Sequence, residues 1–402
     1  MGGFFFLYGQ GGCEKIFLWS TISCSIRSKG GIVLNVVSSG IAALLLPNGR
    51  TAHSRFKIPF AINEDSLCSI KQGSPLARCS NSYNAHLPFG GKVVVLGGDF
   101  RQILPVILRG SRQDIIQSSI NSSYLWHNCK VLKFTKNMRL SLDGESIVHI
   151  PSDILIKNSE TVLDDLIDFV YPNMLSNLSV EIYFKDRAIL APTLDFCVTD
   201  VNNKMTAGLP GQEIVYLSSD SVCAEEGNME LELDAFSPEI LNGINCSGLP
   251  PHKLVLKVGA PVMLLRNIDQ TNGLCNGTRM QVRRMENHVI ECKTLTSNKV
   301  RSIVLIPRVN LIPNNETLPV RFQRKQFPII MSFAMIINKS HGQTLLKLPR
   351  PVFTHGQLFV TLSRVTSIDG LRVLFQDHGH LEDNCMMNVV SKDSIELLFI
   401  NI

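Results

Sequence analysis

The residues with the clearest chemistry lie near the start of the chain, at positions 9–16, which read GQGGCEKI. The pattern G-x-x-x-x-G-K-[ST] is typical of a phosphate-binding loop, in which backbone N–H groups surround phosphates, the lysine reaches the outer phosphates and the hydroxyl holds Mg²⁺. Two of the loop's functional positions are altered, because a glutamate replaces the second glycine and an isoleucine replaces the hydroxyl residue. The segment predicts a nucleotide site made of Gly9, Gln10, Gly11, Gly12, Cys13, Glu14, Lys15 and Ile16.

A second candidate follows the apolar run at 93–96, where two glycines lead to Asp99. A strand that ends in an aspartate is typical of the Mg²⁺ ligand beside a bound nucleotide. Asp99 is therefore a candidate metal ligand. Gln102, just beyond it, is placed to sense the γ-phosphate or to position the attacking water. An ordinary exit from a strand into a loop is the alternative for this segment.

Apolar strands and helices alternate around these residues. The sequence predicts a strand over 4–8, a helix over 15–27, a buried strand over 32–37 and a short helix over 41–46. Continuous apolar strands that alternate with helices indicate a parallel sheet covered on both faces. Such a sheet binds its ligand at the carboxyl ends of the strands, where positions 9–16 would lie.

Farther along the chain, another strand is predicted over 187–190, and the pattern becomes all-β from 254 to about 311. Short apolar runs there are separated by turns that include Asn-Gly at 272–273 and at 276–277, a strong hairpin signal. We expect a small β barrel set into a larger α/β protein.

The composition restricts the class of protein. The 402 residues are enough for two or three domains, and 45% hydrophobic with 18% charged residues indicates a globular chain. The net charge of +5 is compatible with a nucleic-acid partner without identifying one. Eleven cysteines without a C-x-x-C pair favour reduced thiols over a disulfide framework or a zinc site. The apolar runs are shorter than the ~20 residues of a membrane span, so no membrane partner is expected.

Three more segments carry polar residues in a suggestive order. Positions 134–139 place an arginine after a polar turn, 332–344 include the run KSHGQT, and 355–365 end with the run LSRV. Each alone could be a solvated charge, but an ordered series that begins with a phosphate-binding loop is hard to assemble by chance.

Together these segments resemble the superfamily-one DNA helicases of the petite-integration-frequency type, especially a plant branch related to Helitron transposon helicases. The resemblance covers nearly the whole chain and is most specific at 38–42, 50–56, 97–102 and 274–279. It implies an α/β fold of two RecA-like P-loop NTPase lobes with parallel sheets. The implied boundaries are a first lobe at 1–135, a second lobe at 136–278 and 328–402, and a small SH3-like β insert at 279–327.

The resemblance implies an ATP-dependent helicase that moves 5′ to 3′ along single-stranded DNA and unwinds duplex DNA. Its cofactors would be ATP and Mg²⁺, and its setting would be repair, recombination and telomere maintenance in the nucleus or the mitochondrion. The implied catalytic residues are Lys15 on the phosphates, Gln102 as the γ-phosphate sensor, and the arginine fingers Arg139 and Arg364. The implied DNA contacts of the first lobe are Thr51, His53, Ser54 and Arg55. In the segment of the second lobe that couples DNA to the nucleotide, Lys339 and Ser340 would contact DNA, and Gly342 and Gln343 would contact the nucleotide.

Several positions depart from the family pattern. The carboxylate of Glu14 would repel the triphosphate by about 4 kcal/mol at ~4 Å and an effective dielectric constant of ~20, and Ile16 removes the hydroxyl that ligates Mg²⁺. Residues 61–90 show no apolar strand that ends in Asp-Glu. Two alternatives to an active helicase follow: a catalytically impaired, transposon-derived remnant that at most binds single-stranded DNA, or a truncated product that misfolds.

Overall fold

The computed structural model of the chain describes residues 3–9, 13–59, 66–70, 88–100, 107, 110–134, 147–149, 152, 154–156, 162–180, 183–185, 187–191, 196–223, 237–246, 248–270, 272–295, 303–313, 318, 320–336, 345–346, 372–374 and 385–387. The strands in chain order are β1 (Phe4–Tyr8), β2 (Val36–Val37), β3 (Arg50–Thr51), β4 (Val94–Gly98), β5 (Cys129–Lys133), β6 (Ile147–His149), β7 (Leu155–Ile156), β8 (Ile189–Ala191), β9 (Ile214–Leu217), β10 (Ser219–Val222), β11 (Lys253–Leu256), β12 (Pro261–Leu264), β13 (Arg279–Met285), β14 (Val289–Thr294), β15 (Ile303–Pro307), β16 (Val309–Leu311), β17 (Phe322–Gln326), β18 (Ile329–Met331), β19 (Ala334–Ile336), β20 (Leu345–Leu346), β21 (Val373–Leu374) and β22 (Cys385–Met387).

The α-helices in chain order are α1 (Lys15–Ser28), α2 (Gly40–Ala43), α3 (Ala52–Phe56), α4 (Arg112–Gln117), α5 (Val162–Val170), α6 (Phe196–Gly208) and α7 (Pro238–Gly243). Short 3-10 helices lie at Pro88–Gly91, Ile120–Ser122, Tyr124–Asn128 and Met174–Asn177. None of the helices in the described part of the chain is long and apolar enough to cross a membrane.

The first parallel sheet has the strand order β4–β1–β5, and we call the chain from β1 to β5 the first lobe. On one face of this sheet, Phe6 packs against Phe100 and Trp126, with ring centroids 5.3 and 5.1 Å away. On the other face, Trp19 of α1 lies over Gly97, where an added Cβ would come within 2.6 Å of the indole ring. The predicted strand–loop–helix unit at the start of the chain is therefore confirmed.

The prediction of a buried strand over 32–37 is wrong for its first four residues. Only β2 pairs, in parallel with β3, and Ile32 is 82% exposed. The carbonyl of Val33 accepts a hydrogen bond from Arg27, and the side chain of the buried Asn35 accepts from the Ser23 hydroxyl of α1 and donates to the carbonyl of Pro47. Side-chain contacts here take the place of a strand partner. For 61–90 the sequence predicts no strand. The structure describes only residues 66–70 and 88–90 of this range, and these form no strand; the other residues lie outside the described ones.

A second parallel sheet has β8 between β19 and β20, and we call the chain from α5 to β20 the second lobe. Asn202 of α6 holds β19 at its first residue, because its side chain donates to the carbonyl of Ala334 at 3.0 Å and accepts from the same residue's N–H at 2.9 Å. Tyr171 donates its hydroxyl to the carbonyl of Phe333 at 2.8 Å. The strand predicted over 187–190 is confirmed as β8, one to two residues later.

The segment from β11 to β18 is all-β, as its Asn-Gly turns predicted. Its largest element is a five-stranded antiparallel sheet with the order β15–β14–β13–β12–β18. β12 and β18 belong to this sheet and lie on either side of the predicted insert at 279–327. The SH3-like character of the insert and the domain boundaries stay predictions. Smaller sheets pair β10–β17–β16, β9–β11, β7–β21 and β6–β22.

A buried arginine connects several parts of the second lobe. Arg324 of β17 forms a fully buried ion pair with Asp220 of β10, with its Nη2 2.7 Å from a carboxylate oxygen. Its other N–H groups reach the carboxylate and the carbonyls of Leu241, Ile244 and Pro250. Because a guanidinium is costly to bury unless its donors are paired, this complete set of partners fixes α7 and the following loop against the sheet.

Candidate functional site

The predicted phosphate-binding segment connects the end of β1 to the start of α1. Gly9 donates its N–H to the carbonyl of Gly98 at 3.2 Å, which ties the segment to the end of β4. A Cβ added at Gly9 would come within 2.7 Å of the Phe134 ring, so the backbone runs close to the end of β5. The segment therefore lies at the carboxyl ends of three parallel strands, where such sheets bind ligands.

Lys15 is the first residue of α1, and its side chain turns back over the segment. Its Nζ donates to the carbonyl of Gly9 at 2.5 Å. Burial lowers the pKa of Lys15, while the nearby Asp99 and Cys13 oppose that shift. The structure thus brings together two residues that the sequence proposed separately, the phosphate-contacting lysine and the aspartate after β4.

Glu14 retains the backbone conformation of a glycine. Its φ of 53° and ψ of 31° are left-handed, a region that costs an ordinary L-residue about 1–2 kcal/mol and glycine almost nothing. Its side chain is exposed and makes no capping hydrogen bond to α1. Because this carboxylate is exposed, water screens its charge. Its repulsion of a phosphate ~4 Å away is therefore closer to the ~1 kcal/mol expected in water than to the value expected in a protein interior.

The donor set for Mg²⁺ is incomplete in the described residues. Ile16 is 47% exposed and offers no oxygen, and Asp99 interacts electrostatically with Lys15. No group of three or more His, Cys, Asp or Glu side chains that could hold a metal ion occurs within the described ranges. Among the described residues Asp99 is the remaining candidate ligand, and its role in holding Mg²⁺ stays a prediction.

The predicted DNA-contacting residues of the first lobe lie on β3 and α3. Thr51 is buried and caps α3, since its hydroxyl accepts from the N–H of Ser54 at 3.3 Å. His53 is exposed, and Arg55 donates to the carbonyl of Asn48 at 2.9 Å. Contacts to a ligand from this helix would thus come from His53, Ser54 and Arg55, while Thr51 positions them.

A basic cluster surrounds Arg55, and sequence reasoning did not assign it. Desolvation lowers the pKa of Arg55, and the neighbouring charges of Arg50 and Arg27 lower it further. The buried Nε of Arg55 makes no hydrogen bond in the structure. Three guanidinium groups in one place favour an anionic partner. Arg27 lies far from the GRTAHSRF motif in sequence, so only the fold shows that it belongs with the other two.

Several predicted site residues lie outside the described residues. They are Gln10, Gly11, Gly12, Gln102, Arg139, Lys339, Ser340, Gly342, Gln343 and Arg364. Their assignments stay predictions.

Comparison with known families provides an independent test. The PIF1-like helicase family matches residues 1–85 and 78–150, and the 2B domain of the DNA helicase Pif1 matches residues 239–285. In these segments the sequence is similar to the PIF1-like helicases. The resemblance to helicases of the petite-integration-frequency type, which the motifs indicated, is therefore confirmed, and the relation to a plant, Helitron-related branch stays a prediction.

The match with curated relatives covers a different share of each relative's length. The ATP-dependent DNA helicase PIF1 of Mus musculus is 30% identical over 300 residues, which are 71% of this chain and 40% of the relative. The chain likewise spans 41% of the Xenopus laevis PIF1, at 28% identity over 71% of this chain. The Pif1 of Bdellovibrio bacteriovorus is 26% identical over 92% of this chain and 83% of its own length.

Solved PIF1-family structures share the fold. Pif1 of Candida albicans superposes with a TM-score of 0.58 at 21% identity, covering 99% of this chain and 96% of that one. Pif1 of Bacteroides in complex with ADP-AlF3 and single-stranded DNA gives a TM-score of 0.60 at 19% identity, covering 99% and 93%. The α/β fold with two RecA-like lobes is thus confirmed.

Proposed function

We propose that this chain is a PIF1-type protein that binds single-stranded DNA, and that its own ATP turnover is impaired. The ancestral activity would be the ATP-dependent 5′–3′ unwinding of DNA, in which Lys15 contacts the phosphates, Gln102 senses the γ-phosphate and Arg139 and Arg364 stabilise the transition state. The observation that carries the proposal lies at the nucleotide site: β1, Lys15 and the left-handed residue before α1 are present, but that residue is a glutamate.

The loop supports nucleotide recognition more than catalysis. Lys15 lies at the N-terminus of α1, where backbone N–H groups and the helix dipole favour phosphate. Glu14 adds negative charge at the same end, and Ile16 supplies no oxygen for Mg²⁺. Each change weakens the ATP complex, so any binding of ATP by the loop would be weak.

The first-lobe surface supports DNA binding. Arg27 and Arg50 bring two further positive charges near Arg55, which lies on the same helix as His53 and Ser54. Side chains of this kind contact the phosphate backbone, so we expect affinity that falls with salt and little preference among bases. The helicase of Bacteroides, which shares the fold, was solved with single-stranded DNA.

Phosphate release tests the catalytic part of the proposal. The chain is compared with Lys15→Ala and with Glu14→Gly/Ile16→Thr, each with and without single-stranded DNA. We expect no DNA-stimulated release above the Lys15→Ala level, and about tenfold tighter ADP binding in the double variant because a charge and a strained backbone are removed. DNA-stimulated turnover near 1–100 s⁻¹ that Lys15→Ala abolishes would show an active motor instead.

The full helicase is the second candidate, because β1 and α1, which flank the nucleotide segment in ATP-binding lobes, are both present. In that case ATP and Mg²⁺ would be its cofactors, single-stranded and duplex DNA its substrates, and DNA repair, recombination and telomere maintenance its setting, in the nucleus or mitochondrion. We also propose descent from the plant, Helitron-related branch.

A broad, non-cooperative thermal transition would favour the third alternative, a truncated product that does not fold.

A further inference from the structure

The first lobe touches the second at Gly40, the first residue of α2. A Cβ added at Gly40 would lie 2.9 Å from the Asn267 side-chain oxygen, 2.9 Å from the Cys275 Cβ and 3.3 Å from its sulfur. The φ of Gly40 is not among the positive values of the described glycines, so the backbone itself would accept alanine. Glycine is therefore required here by the close approach of another segment.

The second-lobe segment that meets Gly40, residues 267–270 and 272–278, is held rigidly by its own hydrogen bonds. The side-chain oxygen of Asn267 accepts from the N–H of Asn276 at 2.8 Å. Cys275 is fully buried, and its N–H donates to the Thr278 hydroxyl at 3.0 Å. That hydroxyl donates in turn to the carbonyl of Gly273 at 2.8 Å. Since these groups are fixed relative to one another, this segment, which we call the contact loop, can accept a new side chain at Gly40 only by moving away from α2 as a unit.

On the first-lobe side, the contact continues to the DNA-contacting residues. Gly49, which directly precedes β3, packs so closely on α2 that an added Cβ would overlap the carbonyl of Ala43. β3 then ends at Thr51, which caps α3 and positions Arg55. The position of α2 therefore determines the position of α3.

On the second-lobe side, the contact loop ends at the buried Arg279. This side chain donates to the carbonyls of Phe184 at 2.8 Å, Arg187 at 2.9 Å and Ser332 at 3.0 Å. Phe184 and Arg187 precede β8, and Ser332 precedes β19, so the loop is anchored to the central sheet of the second lobe. A continuous series of rigid contacts joins that sheet to Gly40.

We propose that Gly40 is a positioning residue: its lack of a side chain seats the contact loop on α2 and so fixes the DNA-contacting helix α3 relative to the second lobe. The contact itself stands on geometry alone, while its effect on DNA rests on the proposed DNA binding. The two parts are tested separately.

Cross-linking tests the contact. Gly40→Cys places a thiol beside Cys275, and a shift of about 1 Å brings the two Cβ atoms to the 3.5–4.5 Å of a disulfide. After mild oxidation, we expect peptide mapping to find a disulfide between the introduced cysteine and Cys275. The matched control is Gly208→Cys, since a Cβ at Gly208 in α6 meets nothing within 4 Å. A linkage to Cys275 no more abundant than in this control would overturn the proposal.

Binding of labelled single-stranded DNA tests the consequence. We expect Gly40→Ala to weaken binding about tenfold and Gly208→Ala to leave it unchanged. Cys275→Gly removes the opposing Cβ, so Gly40→Ala/Cys275→Gly should bind more tightly than Gly40→Ala, which a general loss of stability would not produce. Unchanged binding by Gly40→Ala, or purely additive effects in the double variant, would overturn the positioning role.

The outcomes distinguish this inference from the proposed function. If the natural chain binds no DNA but the disulfide forms, the DNA-binding proposal fails and the contact stands. If DNA binds and the disulfide does not form, the inference fails alone. If Gly40→Ala does not fold, recovery of a cooperative melt in the double variant supports the contact, and no recovery contradicts it.

Discussion

The two lobes differ in how completely they bury their side chains. In the second lobe, Leu256, Val262 and Phe333 are fully buried, and even Arg324 has every N–H donor paired. In the first lobe, Ser23 is the one buried residue described in α1, and Phe17 of the same helix is 70% exposed. The lobe that carries the nucleotide loop is thus the more thinly packed one.

This difference indicates where stability and chemistry lie. Burial of apolar surface is the main favourable term in folding, so the second lobe should contribute most of the stability. The first lobe retains the shape of a nucleotide site with less packing behind it.

Both tryptophans, Trp19 and Trp126, lie in the first lobe. Tryptophan fluorescence therefore follows the first lobe, while far-UV circular dichroism follows the whole chain.

The largest expected effect comes from breaking the buried ion pair of the second lobe. Arg324→Leu leaves the fully buried Asp220 without its partner, and we expect a loss of about 3–5 kcal/mol. In urea, the circular dichroism transition should move while the tryptophan transition changes little. Arg284→Ala, which removes a mostly exposed ion pair, should cost less than about 1 kcal/mol. Equal shifts of both probes would show that the lobes unfold as one unit.

A pair of truncations sharpens the comparison of packing. Leu256→Ala should destabilise the second lobe by about 2–5 kcal/mol because it opens a cavity in a closed core. Phe17→Ala should change the tryptophan transition by less than about 0.5 kcal/mol, since most of that ring is already in water. Similar losses for the two variants, measured by urea unfolding, would contradict the difference in burial.

Alkaline titration tests the interior of the second lobe. Burial raises the pKa of the Cys292 thiol to about 12, above its ordinary value of 9.0. The unfolded chain then loses this proton before the folded chain does, so stability is complete below pH 9 and falls as the pH rises toward 12. Cys292→Ala should remove up to about 1.4 kcal/mol per pH unit of that dependence. Rapid labelling of Cys292 in the native chain, at the rate of the exposed Cys24, would show that the thiol is not buried.

The smallest effect concerns the strained turn of the first lobe. Glu14→Gly should stabilise the first lobe by about 0.5–1 kcal/mol, because the left-handed backbone suits glycine and this gain exceeds the extra entropy that glycine loses. The tryptophan transition in urea should therefore move to higher concentration. Glu14→Ala is the control, since it removes the charge but keeps the strain. A gain that is equal in both variants would assign the effect to charge instead.

The parts of the fold that local pattern determines were predictable. β1, the start of α1 at Lys15 and the all-β segment after 253 follow from apolar runs and Asn-Gly turns. The prediction of a strand over 32–37 failed at 32–35, because a run of apolar residues does not reveal whether a neighbouring strand exists to pair with it. The Asn35 side chain, which binds Ser23 of α1 and the carbonyl of Pro47, gave no periodic signal.

The site was predictable where it is continuous in sequence and not where distant segments meet. Lys15 and Asp99 were proposed from local motifs, and the fold brings them together. Gly40 was part of a recognised motif, but the reason for a glycine there is a loop more than 200 residues later. Arg279 binds carbonyls, which every residue has, so no residue type in the sequence marks its partners.

The most direct test of the account measures the affinity of the chain for labelled single-stranded DNA over a range of salt concentrations, with and without ATP and Mg²⁺. We expect log Kd to rise linearly with log salt, and ATP to change Kd by less than about twofold, because a loop with impaired turnover cannot couple nucleotide to DNA. A change of about tenfold on adding ATP that Lys15→Ala abolishes would contradict the account and show that the nucleotide loop still drives the two lobes.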